Sequence, residues 1–341
     1  MFLHKLDWQR NVIDVKVNHR DEAPRVNQPV LSAMTTRQDW CTVQLYSPAV
    51  VRVDGTYHMW YVGNPMATRV DNLSLGYAES VDGLVWNEHE NNPILTPADL
   101  PFGASWQTPR VLFDEARGLF RMWFVSGGVE NDDEGAPTLR RQFAGYAESE
   151  DGLSWKIHPE PVYPSGRGPC VLIEEEGGYT MWMNSAPEPD DEFARLAANI
   201  FRFSSSDGLE WTRDPDPVVT AGGPTRSNVY PFVFKDRGDY TMWYTCAVEG
   251  GHCELYSSTS SDGVTWTHHR DEPSFPATRN PDDFDGRYTS TPCVLDDGDR
   301  YLLYYSARDP GNLYGAGDGT LKVDRMGIYR HIGVAVCEKA Q

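Results

Sequence analysis

Basic residues are scarce in this chain. Its 341 residues hold 30 Lys and Arg against 50 Asp and Glu, a formal net charge of −20. That deficit argues against nucleic acid or an anionic membrane as the main partner, because both require a basic footprint. Long apolar runs are missing as well, and none approaches the length of a transmembrane helix. The opening, MFLHKLDWQR, lacks the apolar stretch of a secretory leader. Six cysteines lie scattered at positions 41, 170, 246, 253, 293 and 337, with no CxxC pair and no metal-ligand spacing. The expectation is a reduced, cytoplasmic protein without a metal or other cofactor. There is no phosphate-binding glycine loop, no HExxH and no GxSxG. Helical periodicity is almost absent.

What the chain has instead is a repeat. The heptad Ser-x-Asp-Gly-x-x-Trp occurs four times, at Ser80–Trp86, Ser149–Trp155, Ser205–Trp211 and Ser260–Trp266. A second phrase precedes each copy: a proline, an apolar run, a polar turn and an aromatic-rich strand. It occurs a fifth time as TPCVLDDGDRYLLYYSA. Its central aromatic is Trp60, Trp123, Trp182, Trp243 and Tyr304, at steps of 63, 59, 61 and 61 residues. So regular a period marks a repeat architecture. In the first unit the strand-like runs are Pro48–Val53, Tyr57–Val62, Leu75–Ser80 and Val85–His89. Asp54-Gly55 and the Asp-Gly of the heptad form the turns. The heptad Trp is expected to begin the fourth strand, with its ring on the neighbouring sheet.

Four-stranded antiparallel units repeated radially make a β-propeller. The reading is an all-β, five-bladed propeller in one domain spanning residues 1–341. Its blades are expected at about 40–95, 104–163, 164–219, 224–275 and 285–338, the last completed by 5–15. The second strands are apolar on both faces, as a sheet between two neighbours requires. The fifth unit ends at its third strand, Gly333–Glu338. The orphan segment Leu6–Ile13, with Trp8, is therefore expected to close the ring as the outer strand of blade five and cover an exposed edge.

Connectivity puts the tight Asp-Gly turns on one face and the long second-to-third loops on the other. Long loops on a rigid scaffold are where binding and catalysis concentrate. The heptad Asp and Trp recur in four blades, so they read as structural. The candidate site is the axial funnel on the long-loop face. Asp71 and Asp309 form the expected catalytic pair, brought together across the closure. Asp39, Arg167, Glu188, Tyr230, Glu249, Tyr288 and Arg308 are the expected substrate-binding residues. Two carboxyl groups with separated pKa values would suit acid–base work.

The five strand-opening prolines and the phrase MWY…GYAESxDGxxW resemble the five-bladed propeller glycosidase superfamily. That group includes arabinanases and β-xylosidases, invertases and levansucrases, and mannoside phosphorylases. The resemblance covers nearly the whole chain. It implies a small sugar or glycoside at the funnel and two carboxyl groups, one an acid and one a base or nucleophile, whose separation sets the stereochemistry. The usual acids do not carry over. An Asp directly precedes the first-blade proline in arabinanase-like members, whereas this chain has Ser47. The neighbourhoods of the family's general acid read Arg167-Gly168-Pro169 and Val229-Tyr230-Pro231, and Arg308-Asp309-Pro310 echoes the invertase motif in a different place. The leading expectation is a glycoside hydrolase or phosphorylase. The alternatives are a scaffold repurposed for a non-hydrolytic biosynthetic step, and a carbohydrate- or metabolite-binding protein without catalysis.

Overall fold

The computed structural model describes residues 3–14, 25–66, 72–131, 137–174, 177–185, 199–220, 222, 227–311, 313–315, 321–323 and 328–339. It is all-β, with several four-stranded antiparallel sheets and only short 3-10 turns. The first repeat folds as Gln44–Val53, Thr56–Asn64, Ser74–Ser80 and Asn87–Glu88, paired in sequence order. The second folds likewise from Trp106–Asp114, Leu119–Asn131, Pro137–Ser149 and Lys156–Ile157. The third comprises Arg167–Ile173, Tyr179–Asn184, Ile200–Ser205 and Thr212–Val219. In the fourth, Asn228–Asp236, Asp239–Val248, His252–Ser260 and Thr267–His269 pair in the same order. The fifth has Tyr288–Asp296, Arg300–Arg308 and His331–Glu338. A parallel contact, Cys253 with Tyr288, joins the fourth and fifth repeats into one nine-stranded sheet.

The missing outer strand of the fifth repeat comes from the N-terminal region. Gln9 pairs with Val336 and Arg10 with Ala335, antiparallel. A second piece that the sequence pattern did not single out, Leu31–Ser32, pairs with Ile332 and His331 further along the same strand.

The heptads are built alike. In the first, Ser80 Oγ donates to Asp82 Oδ1 at 3.0 Å, and that oxygen accepts the backbone N–H groups of Leu84 and Val85. The same bonds recur at Asp151, Asp207 and Asp262. Asp262 is held down to about 2 by the N–H groups of Thr265 and Val264, then by Ser260. Each heptad Gly has positive φ, from 73 to 81°. One boundary differs from expectation. The heptad Trp stands just before the fourth strand rather than starting it, because its indole N–H is turned back onto the carbonyl of its own turn glycine.

The same glycine carbonyls tie the repeats together. Trp60 Nε1 donates to Gly152 O at 2.7 Å, Trp123 to Gly208 at 2.8 Å and Trp182 to Gly263 at 3.2 Å. Tyr304 of the fifth repeat donates back to Gly83 of the first at 2.9 Å. The heptad Trp stands edge-on to each of these rings. The fourth repeat has no following heptad. There Trp8 takes the edge-on place against Trp243, 6.5 Å between centroids. Trp243 Nε1 finds no acceptor among the described residues. The central aromatics, all 0% exposed, are therefore the joints between successive sheets.

Candidate functional site

The first strand of each repeat packs beside that of the next, and the fifth beside the first. Every one of them breaks its ladder at the same place, the residue before the proline. Register shifts fall at Tyr46/Ala49, between Gln107 and Arg110, at Arg167/Cys170, Val229/Phe232 and Ser290/Cys293. The residue before each proline is left-handed: Ser47 (φ 59°), Thr108 (40°), Gly168 (62°), Tyr230 (58°) and Thr291 (42°). Proline disfavours the right-handed helical region for its predecessor, and a bulge needs one residue out of the ladder. The five corners converge on a narrow axial cavity of about 30 Å³.

Beyond the corners, at the ends opposite the Asp-Gly turns, each first hairpin closes with one residue pair. These are Gln44 with Asn64, Trp106 with Ser126, Arg167 with Asn184, Asn228 with Cys246 and Tyr288 with Arg308. Eight of these ten residues are buried, and most are polar. Buried polar groups need partners, and here they hold one another. Gln142 Nε2 donates to Gln107 Oε1 at 2.9 Å, while Arg167 Nε donates to Gln142 Oε1 at 2.7 Å. Asn184 Nδ2 donates to Asn228 O, and Asn184 Oδ1 accepts from the Tyr230 backbone. Tyrosines pack at the fifth and first repeats. The Tyr329 ring stacks on Tyr46 at 5.2 Å and lies 5.6 Å from Tyr288, and its hydroxyl donates to Ser290 Oγ. Burial pushes the Tyr329 hydroxyl far above its ordinary value, so it stays protonated.

The expected site residues divide among several places. Asp71 and Glu188 lie outside the described residues. Asp39 is exposed and opens the 3-10 turn Asp39–Cys41. Arg167, Tyr230 and Tyr288 are half-buried along the first strands, with Tyr230 at the axial cavity. Arg308 is 1% exposed, stands 5.5 Å over Tyr288 and donates to Ile328 O. Glu249 is exposed, at an open groove of about 480 Å³ whose walls include buried Glu254 and its ion-pair partner Arg279, 2.8 Å away. Asp309 accepts from His331 Nε2 at 3.1 Å and lies 3.8 Å from Arg330. Burial pushes its carboxyl up, but the His331 hydrogen bond and the Arg330 charge outweigh this, so it is ionised near neutral pH. His331 Nδ1 in turn meets Ser32 Oγ at 2.8 Å.

Sequence reasoning missed Gln142, Asn184, Tyr329 and His331. A signal existed for Asn184. It stands opposite the first-strand opener Arg167 and ends the phrase YTMWMN, as Asn64, opposite Gln44, ends HMWYVGN. Tyr329 lies in the long connection before the third strand of the fifth repeat, where no repeat comparison reaches, and His331 is the first residue of that strand.

No family model matches the chain. An uncharacterised protein of Mycobacterium tuberculosis, Rv1502, is 32% identical over 139 residues, 39% of this chain and 44% of that protein. The match thus spans less than half the length of the curated relative. Among solved structures, an N-acetylgalactosamine deacetylase from F. plautii, in complex with blood group B trisaccharide, superposes with a TM-score of 0.67. It has 15% identity over 97% of this chain and 95% of its own. The catalytic domain of the Coprinopsis cinerea GH62 α-L-arabinofuranosidase gives 0.62, with 14% identity and 98% of each chain covered. A thermostable family-43 glycoside hydrolase gives 0.59, with 16% identity over 83% of this chain and 94% of its own. At these identities the likeness establishes the fold alone, which the chain shares with these solved structures.

Proposed function

We propose that the chain is a five-bladed propeller closed by its N-terminal strand. In this reading it is a glycoside-hydrolase-like enzyme that takes a small sugar-bearing substrate at the axial funnel. The observation that carries the reading is the set of hairpin-closing pairs. Five first strands that pack side by side carry amides, two arginines and neighbouring tyrosines at their ends opposite the Asp-Gly turns. Neutral amide and hydroxyl donors with flat aromatic rings suit the hydroxyl groups and apolar faces of a sugar. The six free thiols fit a reducing, cytoplasmic compartment. Asp309 is ionised, so in glycoside chemistry it would serve as base or nucleophile, leaving Asp71 or Glu188 as the acid. Arg167 and Tyr288 would hold the substrate.

A screen of activated glycosides, with and without phosphate, tests the reaction. Binding of the best ligand is followed by calorimetry. Arg167→Met should weaken binding about tenfold or more, as expected when a charged hydrogen bond is lost. Asp309→Asn should abolish turnover while leaving ligand bound. Unchanged binding in a folded Arg167→Met variant would overturn the placement. A second reading is favoured by one observation: none of the ten closing residues carries a carboxyl group. Turnover unchanged in Asp71→Asn, Glu188→Gln and Asp309→Asn would point to a non-hydrolytic reaction, and ligand binding with no turnover to a binding protein.

A further inference from the structure

The axial cavity beneath the closing pairs has a chemistry of its own. Its wall residues include one charged side chain, Arg110, which follows the proline of the second repeat. The Arg110 guanidinium lies 4.4 Å over the Phe232 ring. Among the described residues it has no acidic partner, and its buried Nε has no acceptor. Two residues earlier, Thr108 is 8% exposed and lines the same cavity, and its Oγ1 also has no partner there. Cys170 and Cys293 border the space as well. Burial pushes both thiols up, and the Arg110 charge offsets this only in part. They are therefore neutral near pH 7 and supply no counter-charge. An unsatisfied buried donor is costly, and more so when charged. Two such donors on residues that line one small space are most simply satisfied by one shared acceptor.

We propose that this cavity binds a small monovalent anion of halide size, held by the Arg110 Nε–H and the Thr108 hydroxyl. A volume of about 30 Å³ has room for a water-sized body. The anion would neutralise a cation at the meeting point of the five first strands, so its occupancy would be linked to folding stability. The inference is independent of the sugar reading above, because it concerns the cavity below the closing pairs.

Crystals grown in sodium bromide should carry an anomalous peak on the axis beside Arg110. In solution, melting temperature should rise saturably when chloride or bromide replaces gluconate at fixed ionic strength. Arg110→Met should remove that response. Thr108→Val should weaken the apparent affinity about fivefold, the equivalent of one hydrogen bond. Equal melting in bromide and gluconate, or a water with no anomalous signal at the position, would overturn the proposal. If Arg110→Met does not fold, the wild-type bromide crystal and the Thr108→Val titration still decide.

Discussion

A side chain can occupy the same position in every repeat and still differ in worth, because its partner differs. Trp60, Trp123, Trp182 and Trp243 are all fully buried, and the first three donate to a glycine carbonyl of the next heptad. Trp243 faces Trp8 instead and makes no such bond among the described residues. Phenylalanine removes the indole N–H and some volume at each site. At Trp123 it also leaves Gly208 O without its donor. We expect Trp123→Phe to cost about 1 kcal/mol more than Trp243→Phe, the net worth of one hydrogen bond. Urea unfolding of the two variants measures the difference, and equal losses would contradict this account. The same residue scale explains why the repeat was so readable. Asp82, Asp151, Asp207 and Asp262 do local work, each accepting two N–H groups of its own turn, and local work leaves a fixed spacing in the sequence.

At the scale of elements, close packing between paired strands sets what a position tolerates. Gly76, Gly145 and Gly333 occupy one place on the third strand, opposite Tyr61, Phe124 and Tyr305. A Cβ at Gly145 would fall inside the van der Waals radii of the Phe124 and Phe102 rings. Gly145→Ala should therefore destabilise by about 1–3 kcal/mol through overpacking. Adding Phe124→Leu should recover part of that loss in a double-mutant cycle, and strict additivity would argue against the contact. The short turn Leu3–Lys5 supplies a second case. His4 stacks on His269 at 3.9 Å, and Leu3 N donates to Thr241. Burial lowers His4 most, followed by the charges of His269 and Lys5. Burial and then Lys5 lower His269, with Asp271 opposing, while His268, also lowered, and Arg270 lie alongside. Both rings thus bind protons more weakly folded than unfolded. Their contribution is intact above about pH 6.5 and is lost as pH falls below it. The urea midpoint should drop between pH 7.5 and pH 5, and His4→Phe should flatten that drop. A profile unchanged by the substitution would remove the stack from the explanation.

For the molecule as a whole, legibility followed the distance over which residues cooperate. The all-β class and the sheet order were written in a period of about 60 residues, and the place of Trp8 in the one gap the period left. Connectivity pointed to the strand ends opposite the Asp-Gly turns, but not to the polar contacts made there. Gln107, Gln142 and Arg167 meet only after two repeats are laid side by side, and no spacing in one repeat encodes that. Closure by the N-terminal segment is where these scales meet. Gln9–Arg10 covers the edge of His331–Glu338, Trp8 covers Trp243, and Arg10 donates to Asp285, a fully buried carboxylate, at 2.7 Å. Asp285 also accepts from Tyr305 and Asn27, so it is the hub between the N-terminal segment and the fifth repeat. Removing residues 1–10 would strip a buried charge of its cation, uncover a core indole and open a strand edge. Losing one partner of a buried ion pair alone costs about 3–5 kcal/mol, and an open edge invites pairing between chains. The truncated protein should melt far below the parent and form oligomers, as read by calorimetry and light scattering. Arg10→Met isolates the charge and should account for about half of the loss, with the protein remaining monomeric. A truncated chain that melts like the parent and stays monomeric would mean the fold holds without this segment.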